Sequence, residues 1–116
     1  MSPPLAPVFV YGTLCDPAVF ARVARAARPL LLARPALLHG FRRVALRGTP
    51  YPTLLRAPGC AVAGKVVRVS AAQLARLHRY EGRAYRFRAV LVRRCSTVLR
   101  AHAWIATNAD PATPWP

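Results

Sequence analysis

Short apolar runs separated by glycine and proline cover most of this chain, and their spacing predicts strands in most places. Val8-Phe9-Val10-Tyr11 is β-branched and aromatic and ends at Gly12, which predicts a buried strand followed by a tight turn. Apolar stretches between Leu30 and Leu55, and from Val62 to Val69, predict further strands, with a turn at 57–59.

Two segments carry helix signals instead. Asp16 followed by Pro17 predicts an N-cap and a first helical residue, and Pro29 is expected to close this first helix. A Ser-x-x-Gln sequence beginning at Ser70 has the spacing of a capping box, so a second helix is expected to follow it and to end at Gly82.

After the second helix, the alternating apolar positions from Tyr85 to Leu91 and the run from Val98 to Ala106 predict a hairpin. The proline-rich tail from Asp110 to Pro116 is expected to be irregular. The order strand, helix, several strands, helix, hairpin predicts an α+β fold, with a small mixed barrel or sheet flanked by helices. No repeat or linker divides the chain, so residues 1–116 are expected to form one domain.

The chain is strongly basic, with 17 arginines and one lysine against three acidic residues and a formal net charge of +15. Such a charge attracts nucleic acid through long-range electrostatics. The arginines are scattered, and no RNP, zinc-finger or helix-turn-helix signature accompanies them. Weak non-specific binding is therefore expected, and specific nucleic-acid recognition is not.

Cys15, Cys60 and Cys95 are odd in number and far apart, which argues against a disulfide framework or a zinc site and favours a reducing compartment. No apolar run approaches the ~20 residues that span a bilayer. The first residues lack the features of a signal peptide. A cytoplasmic location, without membrane partner, metal or cofactor, is the expectation.

Glu81 is the only glutamate, and it falls at the predicted end of the second helix, where the backbone carbonyls already carry partial negative charge. That field and burial would raise its pKa, whereas Arg79 and Arg83 could lower it. A raised pKa suits a general acid or base near neutral pH. The alternative is a surface glutamate paired with these arginines. The other acidic residues have simpler explanations, Asp16 as a cap and Asp110 in an Asp-Pro turn.

The turn Tyr11-Gly12-Thr13-Leu14 leaves a predicted buried strand and enters a helix N-terminus. Backbone N–H groups at such a place lack partners within the helix and can hold an anion or a developing oxyanion. Gly12 would allow close approach of a ligand to the backbone. An ordinary turn is the alternative.

The remaining candidate residues carry weaker signals. The three histidines, His39, His78 and His102, share no metal-ligand spacing and are expected to be surface or packing residues. Cys15 lies near a helix N-terminus, which could lower its pKa, although an inert thiol is the preferred interpretation. Tyr51 and Tyr85 are expected to be half-buried, where they could orient a ligand or simply pack.

Four segments together resemble the γ-glutamylcyclotransferase-like family, and most closely its AIG2-like or γ-glutamylamine cyclotransferase branch. They are VFVYGTL near the N-terminus, YPTL at 51–54, VAGKVVRV at 62–69 and LHRYEGRAYRFRAVLV at 77–92. Each is short, but they occur in the family's order, and the resemblance runs from about residue 8 to residue 107.

The resemblance implies a small mixed β-barrel with flanking helices and a cavity at the YGTL turn. It also implies an enzyme, cofactor-free, that releases 5-oxoproline and a free amine or amino acid from a γ-glutamyl amide. Glu81 matches the family's catalytic acid/base. Tyr11, Gly12, Thr13 and Leu14 match the segment that lines the substrate pocket.

One position departs from the family pattern, since His78 stands where LDxYEG members have aspartate, which leaves the pocket open to change. Two other functions stay open beside the enzyme: a non-catalytic ligand-binding or regulatory protein on the same scaffold, and a basic nucleic-acid-binding module. The sequence is compatible with a monomer or a homodimer, and it does not identify the released amine.

Overall fold

Five strands close into a mixed barrel in the computed structural model, which describes residues 5–115. The barrel order is β3–β1–β5–β4–β2, and β2 pairs back with β3 to close it. β1 and β5 are parallel, and the other neighbouring pairs are antiparallel. The predicted α+β class is confirmed. The strands are β1 (Ala6–Val10), β2 (Arg34–Leu46), β3 (Pro52–Val69), β4 (Tyr85–Arg94) and β5 (Thr97–Ala106).

The helices are α1 (Pro17–Ala24), α2 (Arg28–Leu31) and α3 (Ala71–Glu81), with a short 3₁₀ turn at Thr13–Cys15. Asp16 caps α1 as predicted, because its carboxylate accepts hydrogen bonds from two backbone N–H groups. No helix of the described residues is both long and apolar enough to traverse a lipid bilayer.

Pro29 does not close the first helix, contrary to the prediction. α1 ends earlier, at Ala24, and the next residue, Arg25, adopts the left-handed conformation with φ of 57°. Pro29 instead lies in the first turn of α2. Proline is accepted there because the first N–H groups of a helix have no intrahelical partner to lose.

The predicted turn at 57–59 lies inside β3. His39 of β2 pairs with Ala61 and Phe41 pairs with Arg56, so residues 57–60 bulge opposite Gly40 while the strand continues on both sides. The chain reverses only after β2, at residues 47–51. The long β2–β3 hairpin therefore spans the region where the sequence suggested several shorter strands.

The tail is a strand, which corrects the prediction of an irregular end. β6 (Ala109–Pro114) pairs with the last residues of β2, with Asp110 opposite Ala45 and Ala109 opposite Leu46. It lies at the edge of the sheet, where proline is tolerated because one side of the strand makes no ladder hydrogen bonds. Pro116 lies outside the described residues.

Two apolar clusters hold the molecule together, one inside the barrel and one between the barrel and the helices. β1 contributes to both, since successive side chains of a strand point to opposite faces. Phe9 enters the barrel cluster, whereas Val8 and Val10 pack with Phe20 and Leu77 of the helices.

Candidate active site

The turn that follows β1 and the end of α3 line the same cavity, which has a volume of about 220 Å³. Gly12, Thr13 and Leu14 lie on one side of it, and Glu81 lies on another. The two features that the sequence singled out separately are thus brought together. All four tyrosines of the chain also line this cavity: Tyr11, Tyr51, Tyr80 and Tyr85.

Glu81 is the last residue of α3, and its position is fixed from both ends of the helix. At the start, Ser70 Oγ accepts from the Gln73 backbone N–H at 3.2 Å and Gln73 Oε1 accepts from the Ser70 N–H at 2.9 Å, which confirms the capping box. At the end, Gly82 has a φ of 75° and turns the chain away.

The Glu81 carboxyl is largely enclosed, and burial raises its pKa to about 7. Burial disfavours the charged form because water no longer solvates it. The raised value holds despite the neighbouring Arg79 and Arg83. At neutral pH this group is therefore divided between carboxylate and carboxylic acid, and it can both take up and release a proton.

Tyr11 and Tyr85 form the deeper wall of the cavity. The Tyr11 hydroxyl donates to the carbonyl of Trp104, and the Tyr85 hydroxyl donates to the carbonyl of Pro52 at 2.6 Å. Burial, together with the Glu81 charge, raises the pKa of Tyr85 to about 12 and raises that of Tyr11 as well. Both phenols stay neutral, and their hydroxyl hydrogens are already engaged by the backbone.

Tyr80 and Tyr51 belong to the outer part of the cavity. The Tyr80 hydroxyl and Thr13 Oγ1 lie 3.2 Å apart and join the end of α3 to the turn after β1. Tyr51 is 52% exposed, more than the half-buried position predicted for it. Sequence reasoning missed Tyr80, although its place directly before Glu81 was a usable signal.

Glycine is required at position 12 because the turn after β1 lies very close to Pro52 of β3. A Cβ atom added to it would lie 2.6 Å from Cγ of Pro52, so a larger residue could not fit without displacing that ring. Pro52 and Trp104, which also line the cavity, were not predicted to do so. They come from β3 and β5, and nothing local in the sequence marks them.

Cys15 does not have the lowered pKa that its place near a helix start allowed. Burial raises the pKa of this thiol, and its Sγ lies 3.4 Å from the Val10 carbonyl. Among residues 5–115, no group of three potential metal-ligating side chains comes together. His78 and His102 make aromatic contacts with Phe87, with ring centroids 4.7 Å and 4.8 Å away, as packing residues do.

Comparison with known proteins now adds to the geometry. Residues 8–115 match the family described as "Gamma-glutamyl cyclotransferase, AIG2-like". The chain belongs to this family. The resemblance drawn from its four short segments is therefore confirmed.

Individual relatives agree with this placement. The chain is 39% identical to Protein AIG2 C of Arabidopsis thaliana over 79 residues, which cover 67% of this chain and 46% of that protein, so it spans about half of that relative's length. A solution structure from Arabidopsis thaliana, 31% identical, covers 99% of this chain and 70% of its own length with a TM-score of 0.79. A structure named "Gamma-glutamyl cyclotransferase" shares the fold at 18% identity, with a TM-score of 0.76 over 91% of this chain and 69% of that one.

Proposed function

We propose that this member of the family is a γ-glutamylcyclotransferase that releases 5-oxoproline and a free amine or amino acid from a γ-glutamyl amide. The observation that carries the proposal is that Glu81, with a pKa of about 7, shares one cavity with the backbone turn at residues 12–14. The cavity is small and bounded mainly by aromatic rings, which suits a small-molecule substrate.

In the proposed reaction the nucleophile belongs to the substrate. Its α-nitrogen attacks its own γ-carbonyl carbon, a C–N bond forms to close the five-membered ring, and the original amide C–N bond breaks. The enzyme needs no nucleophile, and holding the glutamyl chain folded supplies much of the rate through orientation.

Glu81 is proposed to act first as the general base and then as the general acid. Its carboxylate takes one from the α-ammonium group, which becomes a nucleophilic amine, and the carboxylic acid then returns it to the departing nitrogen. The α-nitrogen loses a second proton as the lactam forms, and this one exchanges with solvent. The first N–H groups of the 3₁₀ turn, which have no partner within the turn, are proposed to stabilise the oxyanion.

The test is turnover of a panel of γ-glutamyl amides, with 5-oxoproline as the measured product. Glu81→Gln keeps the shape of the side chain and removes its titration, so kcat/KM is expected to fall by about 10²–10⁴-fold. Asp110→Asn is the matched control, because it makes the same acid-to-amide change at a partly exposed site outside the cavity lining. Full activity in Glu81→Gln would refute the assigned role.

The proposal also fixes the pH dependence. If the free enzyme must present Glu81 as a carboxylate, kcat/KM rises with pH through a midpoint of about 7. Binding of 5-oxoproline without turnover of any amide in the panel would instead support a ligand-binding protein.

The three cysteines are unpaired, two of them exposed, which suits a reducing compartment such as the cytoplasm.

A further inference from the structure

His78 holds a wall of the candidate site through a side-chain hydrogen bond. It lies one helical turn before Glu81 on α3, and its Nδ1 accepts from Nε1–H of Trp104 at 3.1 Å. The two rings also meet edge to face, with centroids 5.4 Å apart. The contact therefore joins the helix that carries Glu81 to β5 of the barrel.

Trp104 is 4% exposed and lines the same cavity as Glu81. It is held at two points, since its indole N–H donates to His78 and its carbonyl accepts from the Tyr11 hydroxyl. An indole N–H that is buried without an acceptor costs about 1–3 kcal/mol, so the ring would reorient if His78 could not accept. A displaced ring would open the wall of the cavity to water.

The direction of the bond also fixes the tautomer of the neutral histidine ring. Nδ1 can accept only when it carries no proton, which places the single proton of the neutral ring on Nε2. An imidazolium would present N–H at both nitrogens and oppose the indole donor. The His78 ring also meets Phe87 edge to face, and Phe87 in turn stacks with His102 of β5.

We propose that His78 is a positioning residue that, by accepting a hydrogen bond from the Trp104 indole N–H, keeps the cavity wall closed beside Glu81 and so keeps the acid/base group enclosed. Its effect on turnover rests on the proposed function. Its effect on the enclosure of Glu81 does not, and this can be measured without substrate.

Two variants separate the hydrogen bond from the ring. His78→Phe keeps an aromatic ring against Phe87 and Trp104 but removes the acceptor. His78→Asn keeps an acceptor near the position of Nδ1 without a ring. His39→Phe is the control, since His39 is exposed on the outside of β2.

The first readout is the titration of Glu81 itself. Because it is the chain's only glutamate, glutamate labelled with ¹³C at the side-chain carboxyl gives a single carboxyl signal. In the unsubstituted protein the midpoint is expected at about 7. His78→Phe is expected to move it toward the ordinary glutamate value, whereas His78→Asn and His39→Phe are expected to leave it in place. An unchanged midpoint in His78→Phe would overturn the proposal.

The second readout is the NMR signal of the hydrogen-bond donor, the Trp104 indole N–H. The chain has two tryptophans, so the ¹⁵N–¹H spectrum has two indole signals. The Trp104 signal is expected to change in His78→Phe, which removes its acceptor, and to stay in place in His39→Phe. A Trp104 signal that stays in place in His78→Phe would also overturn the proposal.

Activity supplies the third readout. His78→Phe is expected to lower kcat/KM about tenfold, the equivalent of one hydrogen bond, and to move the low-pH limb of the profile with the Glu81 midpoint. Loss of activity with an unmoved limb would mean a merely structural role. If the unsubstituted protein turns over no amide, the proposed function fails, and the two spectroscopic readouts still decide the role of His78.

Discussion

At the scale of single residues, Glu81 has the most unusual environment in the site. It is an acid at the carbonyl end of a helix and is partly buried, and both circumstances disfavour its charged form. A side chain that the fold holds against its own electrostatic preference lowers stability, and such side chains are expected where they serve another purpose. The cavity shared with the turn at 12–14 supplies that purpose in the proposed reaction.

The cost of burying Glu81 is measurable as a pH dependence of the free energy of unfolding. The folded-state pKa of Glu81 is about 7 against an ordinary 4.5, so the folded protein binds this proton more tightly than the unfolded chain. The stabilising effect of that proton is complete below pH 4.5 and is lost as the pH rises through 7. Glu81→Gln should therefore be more stable than the parent at pH 8, by about 1–3 kcal/mol, and equal to it near pH 4. Urea denaturation at both pH values measures this, and equal stability at pH 8 would contradict the burial of the carboxyl.

Gly64 is a second residue whose identity the fold determines. A Cβ atom there would collide with the carbonyl oxygen of Val10 and would lie 2.6 Å from Cζ of Phe9. Gly64→Ala is expected to lower the free energy of unfolding by about 1–3 kcal/mol, because β1 and β3 would have to move apart. Ala63→Ser, on the neighbouring exposed position, should change it little. A thermal melt compares the two, and equal melting temperatures would mean that the strands are not packed this closely.

At the scale of elements, α3 matters most because it carries Glu81, Tyr80 and His78 on its last turn. Its limits were readable in the sequence, since the capping box and Gly82 are local signals that act through backbone hydrogen bonds within a few residues. The limits of α1 and β6 were not. Arg25 ends α1 in a conformation that its residue type does not announce, and β6 exists only because β2 offers it an edge.

The capping box gives a direct test of that helix. Ser70→Ala removes the acceptor of the Gln73 N–H and should lower the free energy of unfolding by about 1 kcal/mol. Chemical denaturation measures the change. Ser96→Ala, at an exposed position in the β4–β5 turn, is the matched control and should be neutral. Equal effects of the two substitutions would mean that the cap contributes nothing to α3.

At the scale of the whole molecule, the net charge of +15 dominates the surface. Among residues 5–115, arginine side chains make three hydrogen bonds, all to backbone carbonyls: those of Tyr11, Ala24 and Pro111. Nevertheless, none of the lining residues in the described part of the chain is basic. The charge therefore affects approach to the protein more than contact within the site.

Salt dependence separates these two roles. Binding of a DNA duplex of arbitrary sequence should weaken linearly in log affinity with log salt concentration, because it depends on released counterions. Arg93→Gln together with Arg100→Gln should make the slope shallower by about 1–2, and Glu81→Gln should leave it unchanged. Fluorescence anisotropy across a salt series measures the slope. An affinity that does not respond to salt would mean that the positive charge does not drive the binding.

The sequence by itself determined the fold class, the cap at Asp16, the limits of α3 and the β4–β5 hairpin, since each depends on local hydrogen bonding or on side-chain periodicity. It also marked Glu81 and the turn at 12–14 as separate features. Local patterns could not connect the two, because β1 and α3 are more than fifty residues apart along the chain. The family resemblance implied one pocket, and in the tertiary structure both line one cavity. Only the tertiary structure brought Pro52 and Trp104 into the lining of this cavity. It alone also placed His78 where it accepts a hydrogen bond from Trp104. These contacts arise where distant strands meet, so no short segment encodes them.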